Sequence, residues 1–131
     1  MEIGLIGLGK MGFNMALNMN DKGNTVFATD VNKDTVKEIS AEGVKGVDSI
    51  EELANSFTGR KAVILLVPAG EIVDQVIEQL KPHLTEGDII VDAGNSMYKH
   101  TLRRYEELKA AGIHLVDVGT SGGTDGARYG L

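Results

Sequence analysis

The chain has 131 residues, 42% of them hydrophobic and 24% charged, with 13 Lys and Arg against 19 Asp and Glu for a formal net charge of −6. This length and apolar content suit a single compact domain with its own core, and the acidic balance, without a run of like charges, argues against nucleic acid or an anionic membrane as partner. The absence of cysteine removes disulfides, a thiol nucleophile and cysteine-held metals, and no apolar stretch approaches a membrane span or a secretory leader, so a cytoplasmic protein is expected.

In chain order, a first strand is expected at residues 2–7, running directly into Gly7-Leu8-Gly9-Lys10-Met11-Gly12. A GxGxxG between strand and helix reads as a dinucleotide-binding turn. Gly7 permits the sharp turn, Gly9 lets the backbone approach a pyrophosphate, and Gly12 lets the helix pack close to the sheet. The helix that starts there directs its free N–H groups and positive dipole end at the phosphates. Met11, Met15 and Met19 fall at helical spacing and read as core, with Met11 also inside the turn, and Gly23 is the expected stop.

A second strand is expected at 25–30, ending on Asp30, eighteen residues beyond Gly12. A carboxylate in that place accepts hydrogen bonds from the hydroxyls of an adenosine ribose and repels a 2′-phosphate, so NAD rather than NADP is the expected cofactor. Lys33 is the nearest cation and partly offsets that repulsion.

A third strand is expected near Val44 to Val47, followed by a capping box of Ser49 and Glu52 that opens a helix carrying Ile50, Leu53 and Phe57. Strands at 62–67, 89–93 and 113–118 follow, and between the first two of them Ile72, Val73, Val76, Ile77 and Leu80 mark a helix ending near Pro82. Such alternation, with Val and Ile runs in place of polar alternation, implies a doubly wound parallel sheet, a Rossmann fold of order 3-2-1-4-5-6, with its ligand at the carboxyl ends of the strands where the order reverses.

Three more turns fall at that edge: Val67-Pro68-Ala69-Gly70, Asp92-Ala93-Gly94-Asn95-Ser96 and Gly119-Thr120-Ser121-Gly122-Gly123. Small residues there let a flat ring and its ribose reach the backbone, and Asn95, Ser96 and Ser121 offer neutral donors and acceptors. Lys99, Arg103 and Arg104 lie on a helix after Asn95 and read as solvated surface charge. Asp92 and Asp117 read as loop anchors. His83, His100 and His114 are scattered, so no residue is assigned a metal or a catalytic role.

Taken together, GLGKMG at 7–12, LLVPAG at 65–70, DAGNS at 92–96 followed by Tyr98, Thr101, Arg103 and Arg104, and SGG at 121–123 followed by Gly126-Ala127-Arg128 resemble the N-terminal coenzyme domain of decarboxylating 6-phosphogluconate dehydrogenase. The likeness spans nearly the whole chain. It implies that Gly7, Leu8, Gly9, Lys10, Met11 and Gly12 hold the pyrophosphate, that Asp30, Val31 and Asn32 surround the adenosine ribose, and that Val67, Pro68 and Ala69 line the nicotinamide. It further implies that Asn95 touches both cofactor and substrate and that Ser121, Gly122 and Gly123 bind 6-phosphogluconate. The chain departs from the family at Ala93, where a second glycine is usual, and at Asp30, where members using NADP carry a neutral residue followed by arginine.

The implied reaction is oxidation and decarboxylation of 6-phosphogluconate to ribulose 5-phosphate. In the family the lysine and glutamate that act as base and acid come from a helical domain that follows the coenzyme domain. Residues 1–131 are therefore expected to form a dinucleotide-binding domain of a longer enzyme, inactive alone. The whole enzyme is expected to be a homodimer or larger, and the isolated piece either a monomer or a non-native associate through an exposed apolar patch. Two other readings stand beside it, the coenzyme domain of another β-hydroxyacid dehydrogenase and a stand-alone NAD-sensing module.

Overall fold

A computed structural model describes residues 1–67, 71–93 and 98–117, except for the side chains of 98–102 and 117. Six strands, β1 (Glu2–Ile6), β2 (Thr25–Thr29), β3 (Lys45–Gly46), β4 (Ala62–Leu65), β5 (Ile89–Asp92) and β6 (His114–Asp117), alternate with helices α1 (Lys10–Asp21), α2 (Lys33–Ala41), α3 (Ile50–Asn55), α4 (Glu71–Leu80) and α5 (Tyr98–Ala110). The strands form one sheet in the order β3-β2-β1-β4-β5-β6. Every pairing is parallel, with Ile6 level with Thr29 on one side and Leu65 on the other. This is the doubly wound order expected, and the order reverses between β1 and β4.

The strands send alternate residues to opposite faces, and each face has its own core. Leu5, Val26 and Ala28 pack with Ala16, Val36 and Ile39 of α1 and α2. Ile6, Phe27, Val63, Leu65, Ile90 and Leu115 pack with Leu53, Val73, Val76, Ile77, Leu80 and Leu108 of α3, α4 and α5. Each of the Val, Leu, Ile and Phe side chains among them contributes about 1.5–3 kcal/mol by leaving water.

Local sequence sets the element ends. α1 stops at Lys22, followed by Gly23 at φ 91°, as expected. α3 starts where Ser49 Oγ accepts the Glu52 N–H at 3.0 Å, while Glu52 Oε2 accepts the N–H of Asp48 at 3.1 Å, one residue earlier than the usual box. Phe57 lies beyond the end of this helix and meets Phe27 edge to face, ring centroids 5.1 Å apart. α2 carries only Val36 and Ile39 into the core, too sparse a stripe to mark it as a separate element from sequence; Asn32 caps it, its Oδ1 accepting from Asp34 and Thr35. At the end of the sheet opposite the switch point, buried Asp88 ties two loops together by accepting the Lys61 N–H at 3.0 Å and the Thr85 N–H at 2.8 Å.

Candidate functional site

The expected strands at 2–7, 25–30, 62–67 and 89–93 each run one or two residues too far at the carboxyl end. The surplus residues Gly7, Asp30, Leu66, Val67 and Ala93 all line one groove of about 910 Å³. Gly7, Leu66 and Ala93 still donate their N–H groups to the neighbouring strand, to Thr29, Ile6 and Leu65 respectively. The chain then leaves the sheet and opens the crevice, where the fold class places its ligands. That volume is within the range of clefts that enclose small molecules.

The three glycines of the turn have three different surroundings. Gly7 has φ 107°, and a Cβ on it would lie 2.4 Å from the Leu66 carbonyl oxygen. A Cβ on Gly12 would lie 2.0 Å from the Gly7 carbonyl oxygen, which is how close the helix comes to the turn. Among the described residues, a Cβ on Gly9 would meet nothing within 4 Å. Packing within the domain therefore demands glycine at 7 and 12 but leaves free space at 9, which is the space a phosphate group needs. Gly9 is also the N-cap of α1, with no side-chain cap and no acidic residue in the first turn. The N–H groups and positive end of the helix meet that space, and in a chain of net charge −6 they favour an anion there.

Asp30 joins the turn to the second strand. Its Oδ2 accepts the Leu8 N–H at 2.5 Å and its Oδ1 accepts the Asn32 N–H at 2.8 Å, so the carboxylate is held at the groove in one orientation. Beside it, Val31 is 98% exposed at the lip. Lys33 lines the same groove and its Nζ donates to the Asp48 carbonyl oxygen. The opposite wall is one face of α4, Ile72, Gln75, Val76 and Gln79, which follow the i, i+3, i+4, i+7 rule. Ile72, one of the residues that marked the helix, is 45% exposed and belongs to this wall; Val73, Val76, Ile77 and Leu80 are buried. The adjacent helical stripe through Ile72 was the sequence signal for the wall, masked by the stronger stripe next to it.

Of the sequence-predicted residues, Gly7, Gly9, Met11, Asp30, Val31 and Val67 line the groove. Leu8 is buried behind the turn, Lys10 is exposed at the start of α1, Gly12 packs under it, and Asn32 caps α2. Met15 and Met19 sit half-buried against the α1 and α2 core. Pro68, Ala69, Asn95, Ser121, Gly122 and Gly123 lie outside the described residues. Among the described residues no group of three His, Asp or Glu could hold a metal ion and no helix is long and apolar enough to cross a membrane.

One expectation is overturned. Arg104, read as solvated surface charge, is 1% exposed and is the bulkiest wholly buried side chain among the described residues. Its Nε donates to Asp74 Oδ1 at 2.7 Å and its Nη1 lies 3.6 Å from Oδ2 of buried Asp92. The charge is tolerated inside because carboxylates from two other elements meet it there. Arg103 stays half-exposed and donates to Asp74 Oδ2 at 2.8 Å. The Arg104 hydrogen bond, aided by Arg103 and opposed by desolvation, holds the Asp74 carboxyl below its ordinary value.

The family model for the NAD binding domain of 6-phosphogluconate dehydrogenase matches residues 2–131. The decarboxylating 6-phosphogluconate dehydrogenase of Cunninghamella elegans is 48% identical over 134 residues, covering 98% of this chain and 28% of the relative. Among solved structures, the 6-phosphogluconate dehydrogenase of Plasmodium falciparum, studied in its apo form and with its cofactor NADP+ and its substrate 6-phosphogluconate, superimposes with a TM-score of 0.89 at 38% identity, over 99% of this chain and 29% of its own. Mycobacterium tuberculosis 3-hydroxyisobutyrate dehydrogenase shares the fold, with a TM-score of 0.88 at 24% identity over 97% of this chain and 43% of its own. The chain spans about 26 to 43% of the length of the curated relatives it matches.

Proposed function

This chain belongs to the family of NAD-binding domains of 6-phosphogluconate dehydrogenase, and from that premise we propose that residues 1–131 form the coenzyme domain of an enzyme that oxidises and decarboxylates 6-phosphogluconate to ribulose 5-phosphate, with NAD preferred over NADP. The observation that carries the reading is the contrast among the three glycines: two are demanded by packing, and the third faces open space at an uncapped helix end. The 48% identity to a decarboxylating 6-phosphogluconate dehydrogenase supports this substrate over that of the other β-hydroxyacid dehydrogenases.

In this reading the first-turn N–H groups of α1 and the backbone at Gly9 bind the pyrophosphate, the Leu8 N–H being taken by Asp30. Asp30, already oriented by Leu8 and Asn32, accepts the ribose hydroxyls with its remaining lone pairs, and its charge disfavours a 2′-phosphate. The exposed side chains of Val31 and Ile72 flank the adenosine half. Val67 and Ala93, at the ends of β4 and β5, leave room for a flat ring against the backbone, and the family resemblance adds Pro68, Ala69 and Asn95 as cofactor contacts. Ser121, Gly122 and Gly123 bind the sugar acid. The cofactor, when bound, supplies hydride acceptance, so that the C3 hydroxyl would become a ketone and the carboxylate β to it would leave as CO₂. No base or acid is assigned within residues 1–131.

Titrating NADH into the chain, with NADPH in parallel, tests the reading by fluorescence; the chain has no tryptophan to compete with the signal. Saturable NADH binding with weaker NADPH binding is the expected result. Binding of neither would sink it, and NADPH binding at least as tight as NADH would remove the role given to Asp30.

A further inference from the structure

Arg104 is not among the described residues that line the groove, yet it meets residues beside both of its sides, by a hydrogen bond to Asp74 and an ion pair with Asp92. Asp74 stands on α4, whose Ile72, Gln75 and Val76 form the wall facing Asp30. Asp92 ends β5 and is followed by Ala93, which lines the groove beyond Val67. One guanidinium from α5 meets both carboxylates, at 2.7 Å and 3.6 Å.

Stability is a poor explanation for this arrangement. Desolvating the charges largely cancels their attraction, and apolar side chains of similar volume often serve a core as well or better. A planar guanidinium hydrogen-bonded to one carboxylate and ion-paired with a second does specify a distance, which apolar contacts and a flexible lysine specify less well. The distance in question separates the α4 wall from the end of β5. A ligand that reaches from one to the other gains from both contacts only when the spacing suits it, because the second contact then forms at high effective concentration. A ligand confined to one side is indifferent to that spacing.

We propose that Arg104 is a positioning residue for dinucleotide binding: by joining Asp74 of α4 to Asp92 of β5 it sets the separation of the two halves of the groove, so that one extended ligand engages both. The inference rests on the reading of the groove as a dinucleotide site. Its distinguishing consequence is that loss of the tie weakens the whole dinucleotide far more than a mononucleotide that occupies the adenosine half alone.

Calorimetric titrations of the 131-residue chain and its R104K, R104M and D74N variants with NADH and with AMP test this, with circular dichroism as the control for folding. Asp74 is partly exposed, so D74N is the mildest cut of the network. D74N and R104K are expected to bind AMP within about twofold of the unmodified chain while NADH affinity falls about tenfold or more, the size of effect expected when effective concentration is lost. R104M, if folded, should show the same split. Equal losses for AMP and NADH, no loss for either, or unfolding of D74N would each make the network a stability element and overturn the proposal. An unmodified chain that binds neither ligand would overturn the reading of the groove itself, and the inference with it.

Discussion

Gly7, Gly9 and Gly12 should respond differently to one and the same substitution. G9A adds a methyl at φ −65° into open space, so the melting temperature should stay within about 1 °C while NADH affinity falls about tenfold, the new methyl standing where a phosphate would lie. G7A places alanine at φ 107° against the Leu66 carbonyl and should cost about 2–4 kcal/mol in denaturant unfolding. Equal thermal losses for both variants would refute the division of labour. At Asp30, D30N keeps one acceptor for two backbone N–H groups. It should lose about 1 kcal/mol of stability and narrow the gap between NADH and NADPH affinity, measured side by side. The turn at Gly7 and the close packing at Gly12 were legible in the sequence because spacing alone defines that turn. Arg104 was not. Charged residues coat surfaces so generally that nothing in its neighbourhood marks it as buried; its partners Asp74 and Asp92 lie 30 and 12 residues away, on elements that meet it only in the folded chain.

Apart from α2, strands and helices followed from hydrophobic pattern, and at β4 and β5 the pattern overshot for one reason. Apolar residues continue past the last ladder pair because the groove is itself apolar, so composition does not change where pairing stops. At β3 the same pattern overshot on both sides: Val44 and Val47 are buried, but only Lys45–Gly46 pair. The cap of α3 is a more local matter. S49A removes the acceptor for the Glu52 N–H and should cost about 1 kcal/mol, a fall of about 3–5 °C in melting temperature for a domain of this size; a shift under about 1 °C would mean the cap is redundant. The tie between α4 and α5 carries a pH signature. Asp74 is held below its ordinary value of 3.8, first by the Arg104 hydrogen bond. The folded state thus favours its charged form. The resulting stability is complete well above that value and is lost as the pH falls through the depressed one. The stability difference between the unmodified chain and D74N should therefore be flat from about pH 7 to pH 5 and shrink below about pH 4. A difference that grows on acidification would contradict the assignment.

At the scale of the whole molecule, fold class and strand order were readable because a parallel sheet with helices on both faces leaves few ways to connect its strands. The substrate side was readable only as motifs, since Asn95, Ser121, Gly122 and Gly123 lie outside the described residues. A ligand that binds only the folded domain must stabilise all of it at once: NADH at a hundred times its dissociation constant should raise the unfolding free energy by about 2.7 kcal/mol. A melting temperature that ignores NADH while titrations saturate would show that binding does not require this fold. The strand order also has a consequence for biosynthesis. β1 is the centre of the sheet, flanked by β2 and β4, and the Gly7 turn packs on the Leu66 backbone. About sixty residues separate these partners, a delay of roughly three to twelve seconds on a ribosome adding about 5–20 residues per second. Throughout that interval the nascent chain presents one bare edge of its central strand, which makes β1 the segment a chaperone would have most reason to shield, and the nucleotide turn, though made early, is completed only when β4 arrives.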